Sequence, residues 1–219
     1  MEVYYGERYH NIKGVVSDYY QDDISEKVTF QRKVNCLGSE KAAIHRKVNC
    51  LESDIKSSIT EIFPDHLSKD DIVFACIGTD RATGDVLGPM VGTKLMENGF
   101  NVIGTIEHPL HGNNLQERME EEAEEGKVIV AIDATLGRSV GKAIIANRGL
   151  EPGDGVGRDL GKIGDFSIKG VVNVSWDDIK INYGVLHTTR LFEVMNMADE
   201  ISKGLVSHFS DKMAKKHTA

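Results

Sequence analysis

Two apolar runs, each followed closely by a carboxylate, constrain this chain most. Residues 72–77 read Ile-Val-Phe-Ala-Cys-Ile and lead into Gly-Thr-Asp-Arg-Ala-Thr-Gly-Asp at 78–85. Residues 128–132 read Val-Ile-Val-Ala-Ile and lead directly into Asp133. Short apolar runs bounded by turn formers predict strands buried on both faces. Such strands belong to parallel sheets with helices over both sides. In those sheets functional groups collect beyond the carboxyl ends of the strands. Asp85 and Asp133 are therefore expected at one sheet edge, where two convergent carboxylates form a hydrolytic site.

The pattern around them supports that frame. Residues 86–98 predict a helix with Val86, Leu87, Met90, Val91 and Leu95 inward, ended by Asn98-Gly99. A strand at 100–106, a helix at 115–125 with a solvated glutamate face, and strands at 143–146 and 167–174 follow. A final helix or helix pair spans about 189–215, with Leu191, Val194, Met195, Ala198, Ile201 and Leu205 as its apolar stripe. Strands alternating with helices give an α/β fold with a mostly parallel sheet. Upstream, residues 1–30 are tyrosine-rich and polar and read as an irregular arm. The hexapeptide Arg32-Lys33-Val34-Asn35-Cys36-Leu37 recurs at Arg46–Leu51. Val48, Leu51, Ile55 and Ile59 have helical spacing, so a helix is expected there. The chain divides into an N-terminal arm and helical extension, 1–62, and an α/β domain, 63–219.

Composition narrows the function classes. A net charge of −8 over 219 residues argues against a nucleic-acid binder, which wants a basic surface. Three cysteines with no Cys-x-x-Cys pair argue against a disulfide framework or a zinc site. No signal-peptide core opens the chain, and no apolar run approaches the roughly 20 residues that span a bilayer. The expectation is a cytoplasmic protein without membrane or nucleic-acid partners.

Each candidate group has a structural reading beside the functional one. Asp85 is either a helix N-cap or a catalytic carboxylate. Asp133 is either catalytic or a structural carboxylate paired with loop N–H groups or Arg138. Gly78, Gly84 and Gly88 allow close backbone approach in the first loop, but the loop matches neither phosphate-binding glycine motif. Pro152-Gly153-Asp154-Gly155-Val156-Gly157 is either a cradle beside the site or a surface turn. His108, His111 and His187 each read more readily as structural or surface histidines.

Residues 78–89, Ile132-Asp133-Ala134, residues 152–157 and Thr188-Thr189-Arg190-Leu191, in that order, resemble the YyaC-type sporulation proteins of the DUF1256 family, over roughly residues 70–205. That family is similar to the spore germination protease, which degrades small acid-soluble spore proteins, and more distantly to hydrogenase maturation endopeptidases. The resemblance implies a three-layer α/β/α sandwich of the phosphorylase/hydrolase type. It also implies a peptidase-like hydrolase of the sporulating cell or forespore, acting on a protein or peptide substrate. It places the catalytic aspartates at Asp85 and Asp133. Asp80, Arg81, Gly153, Gly155 and Gly157 become loop and substrate residues. The nearer relation implies a dyad with no cofactor. The more distant one implies a divalent metal on Asp85, Asp133 and His187. A non-catalytic binding or maturation factor on the same fold is the competing class.

Overall fold

The computed structural model describes residues 43–153 and 161–216. The arm, with the first hexapeptide copy, and the segment carrying Asp154, Gly155 and Gly157 lie outside the described residues.

Six strands form one sheet: β1 (His45–Asn49), β2 (Ile72–Cys76), β3 (Asn101–Ile103), β4 (Val128–Leu136), β5 (Lys142–Ala146) and β6 (Phe166–Asn173), in the order β1-β5-β6-β4-β2-β3. The pairs β2–β3, β2–β4 and β4–β6 are parallel, whereas β5 runs antiparallel to both β6 and β1. Five helices accompany them: α1 (Glu52–Ile62), α2 (Leu87–Glu97), α3 (Leu115–Glu122), α4 (Ile179–Thr188) and α5 (Leu191–Lys216).

Alternation along the strands builds the layers. Ile72, Phe74 and Cys76 of β2 and Val128, Val130 and Ile132 of β4 pack with α1, α2 and α5 on one face. Val73, Ala75, Ile129 and Ala131 pack with α3 on the other, together with Leu110, Leu150 and Ile163 from loops. This is the expected three-layer α/β/α arrangement. Each fully buried Ile or Leu in these layers contributes roughly 1.5–3 kcal/mol relative to exposure. Gly170 lets the first face close tightly. A Cβ there would lie 2.2 Å from Leu87 Cδ2 and 3.1 Å from Met197 Cε, so α2 and α5 rest on the backbone of β6.

Three local expectations are corrected. The second hexapeptide copy is not helical. His45–Asn49 forms the edge strand β1, paired with Ala146–Lys142 of β5, and the helix starts only at Glu52. An edge strand whose side chains are nearly all exposed shows no period-2 alternation, and Val48 alone is half-buried. Ile55, Ile59 and Ile62 carry the real helical stripe and are buried against α5. Residues 45–62 thus share the sheet and core of the rest of the chain. Second, the α5 stripe is Val194, Met197, Ala198, Ile201 and Leu205, while Leu191 and Met195 are exposed. Third, α4 has no counterpart in the sequence reading. The Asp178 carboxylate caps it by accepting the Lys180 N–H at 2.8 Å. The buried Asn182 amide ties it back to the N–H and C=O of Trp176.

Among the described residues no helix is long and apolar enough to cross a membrane.

Candidate active site

The strands end at different heights, and the site forms on the resulting step. β2 stops at Cys76, opposite Ile132 of β4. One further bond, from Ile77 N–H to Ile132 C=O at 2.7 Å, closes that ladder. β4 continues through Leu136, paired only with β6. Asp133 is therefore not beyond the strand, as its sequence position suggested. It lies inside β4, at the first position past the end of β2. The loop after β2 folds back over this step.

Gly78 fixes that fold. Its φ of +139° belongs to glycine, and a Cβ would sit 1.9 Å from the carbonyl oxygen of Asp85. The two ends of the loop thus touch. The Gly78 N–H donates to Leu110 C=O at 2.8 Å, which anchors the loop to the segment after β3. Gly88 brings the first turn of α2 against the strand end, since a Cβ there would lie 2.0 Å from the carbonyl oxygen of Ile77.

Asp85 does not cap α2. The N-cap position is Val86, without a side-chain bond. The Asp85 carboxylate instead accepts the N–H of Thr79 across the loop. Its own N–H donates to Ala82 C=O at 3.0 Å. Burial raises its pKa to about 6, and the Thr79 bond opposes that rise. Asp133 is 7 % exposed. Burial, and then the charge of Asp85, raise its pKa well above the usual carboxylate range. Lys169, its partner across the β4–β6 ladder, and the Ala134 N–H act in the opposite direction. The two carboxylates are thus electrostatically coupled. A charge on Asp85 makes ionisation of Asp133 harder, so the pair resists double ionisation.

A third stitch comes from the far end of the chain. Gly84 N–H donates to Leu186 C=O at 2.7 Å, and Thr83 Oγ1 lies 3.4 Å from His187 C=O. Buried Thr189, between α4 and α5, donates through Oγ1 to Val185 C=O at 2.8 Å. It also accepts from Asn173 Nδ2, at the end of β6, at 3.1 Å. Thr189 of the Thr188-Thr189-Arg190-Leu191 motif thus braces the end of α4, whose Leu186 carbonyl holds the aspartate loop. Lys169 was visible in the sequence as a lone cation inside the apolar run 166–172. Asn173 and Asn182 gave no such signal, because their roles depend on partners remote in the chain.

The other sequence candidates sit apart from the carboxylates. Asp80 and Arg81 are exposed and make no hydrogen bond or ion pair with either aspartate. Arg138 is exposed and does not pair with Asp133. His108 is exposed beside Glu107, and its carbonyl accepts from Arg118. His111 helps turn the loop that presents Leu110, its N–H donating to Asn114 Oδ1 at 2.8 Å. Gly153 has φ +76°, and the base of its segment is pinned by paired backbone bonds between Leu150 and Ile163. Both described thiols are held in the inert form, burial pushing Cys50 up to about 12 and Cys76 higher still.

His187 is exposed in the last turn of α4. Among the described residues no three His, Cys, Asp or Glu side chains are grouped as a metal-ligand set. The set Asp85, Asp133 and His187 is therefore not assembled. What remains of it among the described residues is a carboxylate pair, two side chains where a protein metal site uses three or more. The donor set does not fit a metal, and no chemical step is derived through one.

Residues 40–204 match the sequence model of a family described as "Protein of unknown function (DUF1256)". The chain is 45% identical over 141 residues to the uncharacterized protein YyaC of Bacillus subtilis (strain 168), covering 61% of this chain and 67% of that one. A solved structure, the [NiFe] hydrogenase maturation protease HybD from Thermococcus kodakarensis, aligns with 60% of this chain and 98% of its own. Its sequence identity is 16% and the TM-score 0.36, and neither fold nor activity is inferred from it.

Proposed function

The chain belongs to the DUF1256 family, and on that premise we propose that it is a peptidase-like hydrolase working through the pair Asp85 and Asp133. One observation carries the reading: half-buried Asp85 and buried Asp133, remote in sequence, lie near enough at one step of the sheet that the charge of Asp85 raises the pKa of Asp133. A pair that resists double ionisation is the starting condition of carboxylate acid–base hydrolysis, and the ionised role is assigned here to Asp85. Ionised Asp85 takes a proton from water as the water oxygen attacks the amide carbon. Protonated Asp133 gives its proton to the carbonyl oxygen, leaving a neutral tetrahedral diol. The pair ends with its charge and proton exchanged, ready to protonate the leaving amine.

The proposed substrate is a protein segment. Small acid-soluble spore proteins are the substrates to try first, because the sequence resembles the sporulation proteins. The proposed setting is the cytoplasm of the sporulating cell or the forespore. Purified full-length chain is incubated with those proteins and the products are read by mass spectrometry. Cleavage is expected, with Asp85→Asn and Asp133→Asn each lowering the rate by about 10²–10⁴. The double variant should be little worse than either single, because the two act as a unit. Absence of cleavage in the native chain overturns the catalytic reading. It would favour a binding factor, in which the Thr79 and Ala134 N–H bonds merely satisfy two buried carboxylates.

A further inference from the structure

Asp133 has a second charged neighbour that the scheme above leaves unused. Lys169 occupies the register position directly opposite it in the parallel β4–β6 ladder. Partners in register share a face, so both side chains project from the side of the sheet that carries Ile129 and Ala131. Lys169 is half-buried in a strand whose other residues, apart from Asn173 at its end, are buried. On its other side β5 offers Ile144, an apolar residue. A lysine so placed is normally paired with an anion. Yet Lys169 forms no ion pair with any described carboxylate, Asp133 included. Among the described residues the charged groups acting on Asp133 are Asp85, from the loop, and Lys169, from β6. β2 ends beside it in neutral Cys76 and Ile77.

The proton exchange explains why a cation belongs there. Before water attacks, the single negative charge of the pair sits on Asp85. After Asp85 has taken the water proton and Asp133 has given its own to the substrate oxygen, that charge sits on Asp133. We propose that Lys169 is a positioning residue of the carboxylate pair, its ammonium facing the negative charge that Asp133 acquires when it releases its proton. This rests on the hydrolase reading for its catalytic consequence, but the electrostatic influence of Lys169 on Asp133 stands without it. Backbone satisfaction explains part of the environment of Asp133, through the Ala134 N–H. It gives no reason for a cation one strand away that is paired with no described carboxylate.

The test compares wild type with Lys169→Met, which keeps length and apolar fit, and Lys169→Arg, which keeps the charge. The carboxyl ¹³C shift of Asp133 is followed by NMR as pH is raised. In Lys169→Met its titration midpoint should rise by about one pH unit or more, and Lys169→Arg should stay close to wild type. An unchanged midpoint in folded Lys169→Met overturns the proposal, whether or not the chain cleaves anything. With a cleaved substrate in hand, Lys169→Met should lower kcat about tenfold or more at nearly constant KM, and Lys169→Arg should restore it. Equal kcat in all three would also overturn the proposal. Failure of wild type to cleave, with the NMR midpoint moved, would sink the hydrolase reading and leave the electrostatic influence of Lys169 on Asp133 standing.

Discussion

Replacing Asp85 with Asn should make the folded protein more stable, and increasingly so as pH rises. The native carboxyl has its pKa raised from 3.8 to about 6. Its ionisation is therefore harder in the folded than in the unfolded chain. Below 3.8 both states are protonated and the group has no effect. Between 3.8 and 6 the unfolded chain ionises first and stability falls. Above 6 the full penalty is present. A difference of roughly two pH units corresponds to about 3 kcal/mol at pH 8, shrinking to about 0.5 kcal/mol at pH 4. Asp85 retains some solvent contact, so the larger figure is a ceiling. Asn keeps the acceptor oxygen that binds the Thr79 N–H and removes only the charge. Losing that charge also relieves Asp133, which acts in the same direction. With a urea m-value of roughly 2 kcal/mol/M, the unfolding midpoint of Asp85→Asn should exceed wild type by up to about 1.5 M at pH 8, and by little at pH 4. Urea titrations at the two pH values measure this directly. A pH-independent difference, or a variant less stable than wild type at pH 8, would refute the reasoning.

Two further outcomes follow from the same site. Gly78→Ala should cost at least about 3 kcal/mol, because it combines a left-handed backbone with overlap on the Asp85 carbonyl. Gly126→Ala, at φ +82° in open space, should cost only about 1 kcal/mol, and thermal unfolding of the two variants separates overlap from conformational strain. Zinc, nickel and manganese added to chelator-treated protein should change the melting temperature equally in wild type and His187→Ala; a gain that disappears with His187 would reinstate the three-ligand site.

The sequence disclosed the central strands because each is buried on both faces, so composition alone marks it. β2 and β4 read directly from their apolar runs, and α2 from its 3–4 spacing. β1 was hidden because an edge strand with solvated side chains has no hydrophobic signature, and its hydrogen-bonding partner lies a hundred positions away. α4 was hidden because Asp178 and Asn182 hold it through local polar bonds, not through an apolar stripe. At the site, the two aspartates were legible from their place after apolar runs. Their raised pKa values were not, since these come from depth of burial and, at Asp133, from the charge of Asp85. The expected ligand role of His187 came from the resemblance to hydrogenase maturation endopeptidases, and such a match in position says nothing about which way a helix turn faces solvent.

The loop between β2 and α2 takes its shape from Leu110, Ile132 and Leu186, all of which follow it in the chain. A ribosome finishes β2 and Asp85 well before it makes α4. Domains acquire structure as synthesis proceeds, but contacts of long sequence separation form late. An emerging chain thus carries both aspartates before it carries the bond from Gly84 to Leu186 that holds their loop. Shortened products ending ahead of residue 186 would bear the full acidic pair and lack its frame. The chemistry assigned to the pair is in this way tied to completion of the polypeptide.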